Sequence, residues 1–226
     1  MDVTLPSPYA DPEKGTIMPA IIGIRPPYAG AGAAFFGPMA SSQAGVVHAE
    51  SAHPGGRLKV VSRLTVTDAT DNEYASVIQQ AICYMSVTPN GVASIQINAI
   101  FRPVTTLYSG TIDDELGWSA VDLRWSLLPA CWIDVGKGPV RLTQVAPTHW
   151  RQYADTDFHT HAWGPLRWPP KNLASAEWTY KGPVPEGPFD LYVGVEAAHW
   201  VSADDDSVVS DGDAEFHLST VLVQMS

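Results

Sequence analysis

Residues 146–172 gather the side chains with the widest chemical reach in the chain: His149, Trp150, Tyr153, Asp155, Asp157, His159, His161, Trp163 and Trp168. His159 and His161 stand two apart, so an extended backbone projects both to one side. With His149 and an acid such as Asp157 they offer the nitrogen and oxygen donors that zinc or another divalent metal takes. Because the sequence does not fix the geometry that would assemble this set, metal ligation by the three histidines is the weaker expectation. The aromatic residues carry the stronger one. Trp150, Tyr153, Trp163 and Trp168 supply flat faces, and Asp155 and Asp157 supply acceptors beside them. This combination suits sugar rings, whose C–H faces stack while their hydroxyls bond at the edge. The plain alternative is that these tryptophans roof one end of a core, since large aromatics are mostly buried wherever a core is available.

A second polar run, Asp204 to Asp213, holds five carboxylates in ten residues and reads as an acidic loop with oxygen donors for calcium. It lacks the spacing of an EF-hand, and acidic turns are more often simply solvated. No Gly-x-Ser-x-Gly elbow, dinucleotide-binding glycine run, Walker loop or His-Glu-x-x-His occurs in the sequence. The expectation therefore leans towards a non-catalytic protein that requires no cofactor. Cys83 and Cys131 lie in separate apolar segments and read as two buried free thiols rather than a metal or redox pair.

The segments that must position these residues have a period of two. In 58–67, Leu58, Val60, Leu64 and Val66 alternate with Lys59, Arg63, Thr65 and Thr67, the pattern of a half-buried strand. Residues 92–102 repeat it. Residues 74–86 also fit a helical period, but their β-branched and aromatic content favours a strand. The turn Thr88-Pro89-Asn90-Gly91 predicts that 74–88 and 92–102 pair as a hairpin. Further strands are expected at 43–50, 118–128, 130–135, 140–145, 173–180, 188–202 and 214–225, with Phe216, Leu218 and Leu222 facing inward. Trp118, Trp125 and Trp132 read as a core stripe. The fold class is all-β, a two-sheet antiparallel sandwich of jelly-roll type spanning 43–226.

Residues 1–42 carry seven prolines with interleaved glycines, a composition that blocks helix interiors and central strands. The segment is nonetheless apolar, so it is expected to form an extended arm that packs on its own domain or on a neighbour. A homo-oligomer held through this arm, as in the subunit of a capsid, filament or appendage, is the alternative function. A metal-dependent enzyme built on the histidine cluster is the second alternative.

The chain has 226 residues with 13 basic and 24 acidic side chains, a net charge of −11, and the basic residues are scattered. Neither nucleic acid nor an anionic membrane suits such a surface. The longest apolar stretches fall short of a spanning helix, and no signal peptide is visible after Met1. The expectation is a cytoplasmic or processed chain whose partner is a carbohydrate or a protein.

Overall fold

The computed structural model describes residues 20–67, 69, 72–89, 94–113, 121–145, 151–155, 162–167, 174–183, 185–204 and 207–226, with the backbone alone at 112–113, 151–155, 162–167 and 174. The strands run in the order β1 (Ala20–Ile24), β2 (Gly30–Ala40), β3 (Ala44–Ala52), β4 (Arg57–Val66), β5 (Glu73–Val87), β6 (Ile95–Asp113) and β7 (Val121–Asp134). They continue with β8 (Val140–Arg141), β9 (Arg151–Asp155), β10 (Ala162–Arg167), β11 (Ala174–Tyr180), β12 (Phe189–Ala203) and β13 (Ser207–Met225). They form two antiparallel sheets packed face to face, as expected for a sandwich. No helix among the described residues is long and apolar enough to cross a membrane.

The seven-stranded sheet runs β10-β6-β13-β4-β3, with β11 also on β6 and β1 on β13. The six-stranded sheet runs β2-β5-β12-β7-β8, with β9 also on β7. The pairing expected between 74–88 and 92–102 does not form. β5 lies in the six-stranded sheet between β2 and β12, whereas β6 lies in the other sheet against β13. Both strands find longer partners than a hairpin offers, and Ser94 hydrogen-bonds Ser226 at the end of β13. The chain between them therefore crosses from one sheet to the other.

Two expected strands, 118–128 and 130–135, are one continuous β7 that runs through Pro129. On its outer side β7 pairs with β9 over Leu123–Leu127 and with β8 at Trp132 and Ile133, so Pro129 falls in the gap between them. Pro103 sits in the matching gap on β6, between β11 at 95–101 and β10 at 107–111. Each proline lacks a donor where no neighbouring strand needs one.

Residues 20–40 of the proline-rich segment are built into the sheets as β1 and β2. Both are flanking strands, and β2 has a register shift between Phe36 and Met39, around Pro38, which matches proline's confinement to edges and bulges. The acidic run 204–213 is not a loop as expected. β13 begins at Ser207, and Asp211 and Asp213 lie on it opposite β4, where they pair with Arg63 and Lys59. Leu222 also departs from its expected inward position. A shift between Leu218 and Thr220 reverses the alternation, so Val221, Val223 and Met225 are buried instead.

The core between the sheets is divided. A large apolar cluster includes Phe101, Trp125, Trp178, Phe189 and Phe216, and a smaller one includes Leu64, Val77, Leu123, Val201 and Val208. Between them lies a buried polar belt of Ser62, Gln79, His199 and Ser210. Cys83 and Cys131 are buried free thiols, and burial pushes the Cys83 pKa up to about 12.

Candidate functional site

Alternation along β5, β12 and β7 sends odd-numbered residues such as Cys83, Val193 and Cys131 into the core, and even-numbered residues to the outer face. In register, Tyr84 on β5, Tyr192 on β12 and Trp132 on β7 then stand side by side. Tyr84 and Tyr192 stack at 5.8 Å between ring centroids. A side chain at Gly30 on β2 would meet the Tyr84 ring at 2.7 Å, so the glycine leaves that ring room over the neighbouring strand. All three aromatics are partly exposed.

Polar groups bracket this row. Asp190 and Asp134 stand opposite each other one step beyond it. Asp134 Oδ1 accepts the backbone N–H groups of Gly136, Lys137 and Gly138, which fixes the turn leading to β8. Desolvation, followed by Asp190, Asp134 and Tyr84, raises the pKa of the Tyr192 hydroxyl and keeps it a neutral donor and acceptor. On the other side of the row, Gly194 lies so close to the β5 backbone that a side chain there would strike the carbonyl of Ala81. Past it, Glu196 accepts two hydrogen bonds from Arg141, at 2.9 and 3.1 Å, and one from Gln80 Nε2 at 2.7 Å. The Arg141 guanidinium also lies 5.6 Å from the centre of the Trp132 ring, in a cation–π position.

Arg141 leads round the sheet edge into a cavity of about 640 Å³ lined by Thr143, Gln144, Val145, Tyr180 and Lys181. At the far end of the same face Tyr74 stacks on Trp200, with centroids 5.3 Å apart and planes 7° apart. Tyr192 and Trp200 are eight residues apart on β12, so the two aromatic groups are spaced about 27 Å along the sheet. The face thus offers flat apolar surfaces, carboxylate and amide edges, and one continuing groove.

The candidate site read from the sequence is a different segment. Residues 146–172 are not one long loop, since β9 and β10 lie within them. β9 extends β7, with Tyr153 opposite Trp125 and Asp155 opposite Leu123, whereas β10 extends β6, with Trp163 opposite Gly110. The backbones of Tyr153 and Trp163 therefore belong to different sheets. Trp150, Asp157 and Trp168, and the proposed ligands His149, His159 and His161, lie outside the described residues, as does Trp118. Among the described residues no group of three or more His, Cys, Asp or Glu is placed to hold a metal. Trp125 is in the core as expected, but Trp132 is not. Seven residues separate them, and an odd separation in a strand puts them on opposite faces.

His199 is the other feature that the sequence reading missed. Its Nδ1 lies 2.8 Å from Ser62 Oγ and its Nε2 lies 2.8 Å from Ser210 Oγ, which in turn donates to Tyr108 Oη at 2.9 Å. With Ser210 donating onward, Nε2 carries the ring proton and Nδ1 accepts from Ser62. Burial lowers the His199 pKa to about 3, so the ring is neutral. A serine and a histidine at this distance have the parts of a nucleophile and base, but both side chains are enclosed in the core. The chain of bonds instead ties β12 of one sheet to β4, β13 and β6 of the other.

Fold and outer face together define an antiparallel β-sandwich with an aromatic surface on one sheet. The chain matches no family model and no curated protein. Among solved structures it matches a carbohydrate-binding module described for specific mannan recognition, at 9% identity and a TM-score of 0.22, over 90% of this chain and 100% of that one.

Proposed function

We propose that this protein is a non-catalytic carbohydrate-binding module, and that the outer face of the six-stranded sheet is its binding surface. The observation that carries this reading is the row Tyr84–Tyr192–Trp132, flanked by Glu196, Gln80 and Arg141. Stacking favours the C–H faces of a pyranose, and the carboxylate and amide groups beside the row accept and donate to its hydroxyls. An oligosaccharide laid across the strands reaches the groove at Thr143, Gln144 and Tyr180. β9 widens the same sheet beyond β7 over Arg151–Asp155. The test is affinity electrophoresis and tryptophan fluorescence against soluble mannan, xylan, glucan and galactan. Retardation by at least one polysaccharide that is lost in Trp132→Ala is expected. No retardation and no fluorescence change with any of them would overturn the reading.

A further inference from the structure

β2 is a long strand at the edge of the six-stranded sheet, paired among the described residues on one side only, with β5. Natural edges are commonly guarded by charge, by shortness, by proline or a bulge, or by a covering segment, and β2 has the proline and bulge only at its far end, at Phe36–Met39. At the opposite edge β8 and β9 run along β7, and both carry charged residues. β2 is eleven residues long and has no charged residue at all. Phe35, Phe36 and Met39 on it are 47%, 52% and 51% exposed. Phe36 stands opposite Ile78 of β5, itself 42% exposed, so the apolar surface continues onto the sheet face.

We infer that β2 pairs antiparallel with β2 of a second copy of this chain, joining two six-stranded sheets into one continuous sheet. An open row of backbone donors and acceptors calls for another strand, and an antiparallel strand about a twofold axis is complementary to itself. Two chains of net charge −11 repel one another, and the uncharged β2 edge lets them approach without bringing like charges together. The register shift between Phe36 and Met39 limits the paired stretch to Gly30–Phe36. A twofold axis perpendicular to the sheet reverses strand direction but keeps the face. The outer faces of both copies therefore point the same way and present two aromatic rows to one extended ligand.

The test is light scattering of the full chain over a range of protein concentrations, beside Gly32→Lys and Val140→Lys. Nothing lies within 4 Å of a side chain added at Gly32, so lysine fits there in the monomer and places a charge in the new interface. Val140 is exposed on β8, at the opposite edge. Twice the chain mass of 24.4 kDa is expected for the wild type and Val140→Lys, and the single chain mass for Gly32→Lys with an unchanged circular dichroism spectrum. A monomeric wild type, or a dimer that survives Gly32→Lys, would overturn the inference. A dimer that survives Gly32→Lys but dissociates when residues 1–19 are removed would overturn it in favour of pairing through that segment.

Discussion

The outer faces of the two sheets differ in how they satisfy themselves. On the seven-stranded sheet, β4 and β13 set Arg57 against Glu215, Lys59 against Asp213 and Arg63 against Asp211, a ladder of ion pairs that pairs each charge with an opposite one, although Asp213 Oδ1 is buried without a hydrogen-bond partner among the described residues. On the six-stranded sheet, aromatic rings occupy both ends, and the ion pair of Arg141 with Glu196 lies against one of the aromatic rows. A self-paired charged face keeps a protein soluble and gives a ligand little to gain. Partly exposed rings beside fixed polar groups leave stacking surface to be covered. Two faces of one sandwich thus carry opposite chemistries, although strand alternation builds both in the same way.

The largest expected effect falls on the link between the faces. His199 is neutral and buried with a pKa of about 3, whereas an unfolded chain binds a proton there near the ordinary value of 6.5. Between these two values the unfolded state holds more protons, so stability falls as the pH drops from 6.5 towards 3, by roughly 4 kcal/mol in all. Denaturant titrations across that range should show this slope in the wild type and a shallower one in His199→Gln. Equal slopes would remove His199 from the account.

Next in size, Trp132→Ala combined with Tyr192→Ala should weaken carbohydrate binding by about a hundredfold, near 3 kcal/mol, with a small change in melting temperature, because both side chains are only partly buried. Glu196→Gln removes the charge that holds Arg141 and should cost about tenfold in affinity by calorimetry. The smallest effect belongs to the other face. Replacing Arg57, Lys59 and Arg63 by alanine should leave affinity unchanged and lower the melting temperature only slightly, less still in high salt. A loss of binding in that triple variant would reverse the comparison between the faces.

The sandwich was legible because alternation is a local property. Residues 58–67 and 188–202 show by alternation which side chains face the core, as at Leu58, Val60, Leu64, Leu191, Val193 and Val195, and the structure buries these. Strand partners were not legible. Asn90-Gly91 is a strong local turn signal, yet β5 and β6 lie in different sheets, because pairing is decided by partners far along the chain. The outer row was not legible for a related reason. Aromatic density in the sequence points to residues 146–172, whereas the outer row comes from three strands, each giving one ring. Part of the signal was available: Tyr192 and Trp200 share the parity of Asp190 and Glu196, opposite to Leu191 and Val193, and so belong on the outer face. Their alignment with Tyr84, Tyr74 and Trp132 depends on register, which the sequence does not encode locally.

The most direct test of the outer face as a binding surface is isothermal calorimetry of the wild type, the Trp132→Ala/Tyr192→Ala variant and the Arg57→Ala/Lys59→Ala/Arg63→Ala variant against the polysaccharide that retards the protein most. The account predicts matching affinities for the wild type and the charge-ladder variant, and an affinity about a hundredfold lower for the aromatic variant. Undiminished binding by the aromatic variant would contradict it.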